Sequence, residues 1–93
     1  MLSKIPVDLA KVKGEEIDRQ IIRAGMIAEL DAINLYEQLA ALAEDDGLKK
    51  VLQDIADEEK THLGEFLALL LKKDGKQVEE LKEGSAEVEE LTG

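Results

Sequence analysis

Two long stretches, each apolar at steps of three and four, are joined by the short turn signal Asp45-Asp46-Gly47. The first runs from about Glu15 to about Ala43 with no internal proline. The second runs from about Leu48 to Lys73 and is closed by Asp74-Gly75. Glu15, Glu16 and Asp18 suit the positive end of a helix dipole, and Lys72 and Lys73 suit the negative end. Two long helices joined by so short a turn must lie antiparallel. The pattern therefore predicts an all-α chain built on a two-helix hairpin over residues 15–93. An N-terminal arm over 1–14 precedes it, where Pro6 argues against an early helix. Beyond the hairpin, Gln77–Lys82 reads as a short helix that Gly84 ends. Ser85 reads as the cap of another turn or two over Ala86–Leu91, with Glu87 in its first turn. A full capping box is missing there, because Val88 holds the position that needs Glu or Gln.

Such a hairpin has little with which to fill a core. Tyr36 and Phe66 are the only aromatic residues in 93, and large rings supply much of the burial in a small domain. The aliphatic faces therefore call for a second copy to cover them. Cysteine is absent, which excludes disulfides, thiolate metal sites and cysteine nucleophiles. The start MLSKIPVDLAKVKG lacks the apolar centre of a signal peptide, and the longest apolar run, Phe66 to Leu71, is too short to span a membrane. The expectation is a soluble, cytoplasmic protein. Acidic residues number 22 against 12 basic, for a net charge of −10. That balance repels nucleic acid and attracts cations, and it also describes an ordinary solvated surface.

Both apolar stripes are interrupted near their middles. In the first helix Ile22, Met26, Glu29, Ile33, Tyr36 and Ala40 fall within roughly 80° on a helical wheel, so a carboxylate and a phenol sit in an apolar seam. In the second, Leu48, Leu52, Ile55, Glu59, His62, Phe66 and Leu69 form a seam broken by two adjacent polar side chains. A charge on such a seam is costly unless it is paired or bound to a metal. Glu59 and His62, three residues apart, project from one face one turn apart, while Glu58 and Glu65 are expected to point to solvent. An antiparallel hairpin brings Glu29 to a similar height. Carboxylate oxygen with imidazole nitrogen suits iron, manganese or zinc. Di-iron helical bundles take a Glu from each of two helices and Glu-x-x-His from each of the other two. This chain holds half that set, so a two-fold dimer would complete it for a pair of irons.

Plainer readings stand beside this one. Glu-x-x-His is common on helices, and a seam histidine is often only a satisfied core residue. Glu29 could pair with a basic side chain or set register, as buried polar groups do in coiled coils. Tyr36 could be ordinary packing with its hydroxyl at the rim. Asp31 falls on the opposite face of the wheel from Glu29, so it is expected not to share a metal with it.

The segments Ala28-Glu-Leu-Asp-Ala-Ile-Asn-Leu-Tyr-Glu-Gln38 and Asp57-Glu-Glu-Lys-Thr-His62 closely resemble the encapsulated ferritins. These form the short branch of the ferritin-like superfamily that works inside encapsulin nanocompartments. The likeness covers roughly residues 17–91. It rests on a glutamate, a tyrosine seven residues on, and Glu-Glu-Lys-x-His on the next helix. The resemblance implies an antiparallel hairpin with a short C-terminal helix. Pairs of chains would form a ferritin-like four-helix arrangement, and dimers would close into an annular decamer. It implies ferroxidase activity, with two irons per dimer held by Glu29, Glu59 and His62, and with Tyr36 beside those ligands. Asp31 matches an acidic position of an outer metal site leading to the centre, whereas Ala28 and Leu35 stand where other members have a glutamate and a tryptophan. The partner so implied is an encapsulin shell protein, with neither nucleic acid nor membrane involved, and the location is the interior of that shell. Many members carry a C-terminal docking peptide, which is not seen after Thr92, and some are fused ahead of the shell protein. The resemblance is compatible with this chain being one domain of a longer one. A rubrerythrin-like peroxidase lacks its cysteine pair here. The alternative of another class is a non-catalytic structural or adaptor bundle whose buried polar residues only set register.

Overall fold

The computed structural model describes Asp8, Ala10 and residues 14–93, so the arm expected over 1–14 lies almost wholly outside the described residues. The described chain is helical throughout its regular structure, with α1 at Glu15–Leu42, α2 at Asp46–Lys73 and α3 at Gly75–Thr92. Gly14 precedes α1 at φ 68°, a left-handed conformation that glycine adopts without a Cβ penalty. The Asp45 carboxylate accepts a hydrogen bond from the Leu48 amide at 2.8 Å. This cap lets α2 start at Asp46, two residues earlier than the turn signal suggested. No helix among the described residues is long and apolar enough to cross a membrane.

α3 departs from the expectation. Gly84 does not end a short helix and Ser85 does not cap a new one; a single helix of 18 residues runs through both. One interior glycine costs about 1 kcal/mol relative to alanine, and good helix formers on either side outweigh it. Ion pairing also supports the first turns, with Lys76 Nζ 2.9 Å from a Glu80 carboxylate oxygen.

α1 and α2 pack as the antiparallel hairpin. The buried apolar residues are Ile22, Ile33, Ala56 and Leu70. On α2 the buried line is therefore rotated by roughly 70° from the expected seam, towards Ala56, Leu63 and Leu70. Glu59 stays close to that line, while Leu48, His62 and Leu69 move to an exposed edge. The reason is that a wheel ranks positions by apolarity, whereas close helix approach favours the small Ala56, which is fully buried. Lys60 Nζ reaches across to Glu37 at 3.0 Å. This bond to Glu37 holds the Lys60 ammonium above its ordinary range. Its contribution is thus complete below pH 10.5 and fades as pH rises through the raised value.

Asp74 joins all three helices. It is buried, receives a bond from Arg23 of α1 at 3.0 Å, and caps α3 by accepting from the Gln77 amide at 3.0 Å. Beyond this joint α3 leaves the hairpin, and every residue from Glu79 onward is exposed. Asp74→Ala should lower stability by about 1–3 kcal/mol, from the lost cap and charge-assisted bond. Gly84→Ala should raise it by up to about 1 kcal/mol, because nothing lies within 4 Å of the added methyl. Urea unfolding followed by circular dichroism measures both.

Candidate metal centre

Helix α1 supplies Glu29 and α2 supplies Glu59 and His62, each well inside its helix, where backbone position is fixed on both sides. His62 Nδ1 lies 3.6 Å from one Glu29 oxygen and 3.5 Å from one Glu59 oxygen. One donor atom from each of the three residues lies within 4.8 Å of the others. The two carboxylates are largely enclosed, with side chains 17% and 20% exposed, and His62 is open at 49%. Tyr36, two turns beyond Glu29 on α1, lines a hollow together with Glu29 and Glu59.

The Glu29 Oε2 atom is buried and has no hydrogen-bond partner. Nearby cations are engaged elsewhere: Arg23 with Asp74, and Lys60 with Glu37 and Asp57. Leaving a carboxylate oxygen in that condition costs about 1–3 kcal/mol or more. The residues fit a transition-metal ion. They offer two anionic oxygen donors and one imidazole nitrogen converging on one point, with an orphaned lone pair aimed among them. Three donors leave a first-row metal incompletely held, and the open side is the His62 edge.

Two hollows flank Glu29. One, of about 350 Å³, is lined by Glu29, His62, Glu65, Phe66 and Leu69. The other, of about 270 Å³, is lined by Ala28, Glu29, Asp31, Ala32, Leu35, Tyr36 and Glu59. Asp31 is not one of the three converging side chains, and it lines the same hollow as Glu29 and Glu59. Glu58 and Glu65 are exposed as expected, but Glu65 also lines the hollow beside His62. The sequence reading passed over Gly25. A Cβ there would meet the Phe66 ring at 2.8–3.0 Å, closer than real Cβ atoms come. An isolated glycine inside a helical pattern was its only signal.

Three comparisons bear on this geometry. The EncFtn-like family model matches residues 6–85. A ferritin-like-encapsulin shell fusion protein of Pyrococcus furiosus is 61% identical over 74 residues, covering 80% of this chain and 21% of that protein. An encapsulin nanocompartment cargo protein, EncC of Myxococcus xanthus, is 37% identical over 73 residues, covering 78% of this chain and 55% of that protein. The chain thus spans about a fifth and about half of the length of these two curated relatives. The crystal structure of the encapsulated ferritin domain from Pyrococcus furiosus superimposes with a TM-score of 0.86 at 53% identity, covering 100% of this chain and 97% of that one.

The orphaned oxygen gives a test with a change of sign. Glu29→Gln should raise the stability of metal-free protein by about 1 kcal/mol, because an amide avoids the buried unpaired charge. The same variant should lose the stabilisation that added Co(II) gives the parent. Thermal denaturation with and without Co(II) reads both effects.

Proposed function

The chain belongs to the EncFtn-like family, and on that premise we propose that it is a ferroxidase that oxidises Fe(II) to Fe(III) at a di-iron centre shared by two copies. The observation that carries the reading is the convergence of Glu29, Glu59 and His62 around a carboxylate oxygen left buried and unpartnered. A helical bundle that used these groups only to set register would gain nothing from that orphaned atom.

What one copy leaves open supports the dimer. Each chain offers three donors, and His62 is half exposed. By helical geometry, Ile21, Leu39, Val51 and Leu69 share the His62 face of the hairpin, opposite the face that α3 approaches; all four are exposed. A second copy laid there by two-fold symmetry covers apolar surface and supplies a second Glu29, Glu59 and His62. The result is the ferritin-like four-helix arrangement of residues 15–93. In this reading the dimers close into an annular decamer inside an encapsulin shell in the cytoplasm, where the Fe(III) product is stored. Relatives named as a shell fusion and as a nanocompartment cargo support that setting.

Fe(II) is the substrate. The net charge of −10 raises its local concentration, and Asp31 on the wall of one hollow offers a carboxylate on the way to Glu29 and Glu59. Those two carboxylates offset the cation charge more strongly as Fe(II) becomes Fe(III), which favours oxidation. His62 contributes a neutral nitrogen. Tyr36, on the wall shared with both carboxylates, holds a hydroxyl that can donate to a ligand oxygen. Two Fe(II) ions give up one electron each. Dioxygen takes both with two protons and leaves as hydrogen peroxide, or peroxide takes them and leaves as two waters.

Aerobic oxidation of Fe(II) by metal-free protein, followed by ferric absorbance, tests this beside Glu59→Ala and His62→Ala. Catalysed oxidation in the parent should fall at least about 100-fold in either variant. Oxidation no faster than buffer, or unchanged in both variants, would remove the ferroxidase reading and favour a structural bundle.

A further inference from the structure

We infer that Gly25 and Phe66 form a positioning pair that sets the spacing of the two helices at the metal donors, and that the absence of a side chain at position 25 is required for metal affinity. The inference rests on the metal-binding reading above and deepens it. Gly25 lies one turn from Glu29 on α1, and Phe66 lies one turn from His62 on α2. Because the helices run antiparallel, both are displaced from the donors towards the same end of the hairpin. The contact between them is therefore the level of packing next to the site.

The approach is close and end-on. The three atoms nearest to a Cβ built on Gly25 are Cζ, Cε1 and Cε2 of Phe66, at 2.8, 2.9 and 3.0 Å. An alanine there must displace the far edge of the ring, and two responses bear on the donors. The helices can separate, which moves Glu29 away from Glu59 and His62. Alternatively the ring can swing into the hollow it already lines with Glu29, His62 and Leu69, which crowds His62. Either response shifts donors that now lie 3.5 and 3.6 Å apart, and metal sites tolerate misplacement of a few tenths of an ångström poorly. Glycine in the middle of a helix is otherwise a liability. At this position it is what allows an aromatic ring to pack beside the donors without spreading the hairpin.

The test is Co(II) binding to the full chain, read by titration and by the visible absorption of the bound ion, which reports donor geometry. The parent, Glu59→Ala, Gly25→Ala, Phe66→Leu, the double variant Gly25→Ala with Phe66→Leu, and Gly84→Ala are compared. Gly84→Ala controls for helix propensity alone, since its methyl meets nothing within 4 Å. Gly25→Ala should weaken Co(II) binding about tenfold and shift the absorption band. The double variant, with the ring's outer atoms removed, should recover binding to within about twofold and restore the band. Gly84→Ala should bind as the parent does. Binding by Gly25→Ala equal to the parent, or a double variant no better than Gly25→Ala, would overturn the inference. If Gly25→Ala loses its helical circular dichroism, the double variant must restore both helix and binding for the inference to stand. A parent that binds no Co(II), or binds it as well without Glu59, would instead refute the metal centre itself.

Discussion

A carboxylate whose oxygen is buried without a partner is the constraint on which the rest of this protein turns. Glu29 stands in the apolar seam of α1 between Met26 and Ile33, where its Oε2 accepts no hydrogen bond and has the His62 ring nitrogen 3.6 Å away. In the proposed function a metal ion compensates that oxygen, which requires α2 to bring Glu59 and His62 to the same height. That in turn requires an antiparallel pair of unbroken helices with a fixed register. The short connection from Ala43 to the Asp45 cap supplies that register, and the Gly25–Phe66 contact holds the separation next to the donors. Stability is given up locally at the site and is made good elsewhere along the helices, a common arrangement at functional sites.

The same hairpin is thin. Only Ile22, Ile33, Ala56 and Leu70 are buried apolar residues among those described, and no large side chain is fully enclosed. Two features of the surface follow from this. One face of the hairpin is approached by α3, whose root is fixed by the buried Asp74 with Arg23 and the Gln77 amide. The other carries the exposed His62 edge with its apolar neighbours, so the candidate metal site and the incomplete core open in the same direction. A single act of association would complete both, which ties metal capture to assembly in the proposed function.

Much of this was legible in the residues. Breaks at Glu29, Glu59 and His62 in otherwise apolar stripes marked the candidate donors, because a charge on a seam demands compensation, and the structure brings those three side chains together. The hairpin was legible from two uninterrupted helical periods and one turn signal. Other features were not. The wheel placed His62 and Leu69 on the buried line of α2, whereas close packing of the small Ala56 rotated them to an edge. Gly84 read as a helix end, but local propensity on both sides carried α3 through it. Gly25 gave no chemical signal, since its role exists only in relation to a ring on the other helix.

The sequence by itself determined that the two long segments are helical and lie antiparallel, and which side chains are chemically able to hold a metal. These depend on local periodicity and on the cost of burying charge, both properties of a short stretch of chain. Only the tertiary structure decided the rotation of α2 against α1, the enclosure of Glu29 beside an open His62, the placing of Asp31 and Glu65 on two different hollows, and the close fit of Phe66 on Gly25. Those depend on how side chains of unequal size pass one another at the interface, and a helical wheel, which knows the angle of each residue but not the partner it meets, cannot supply that.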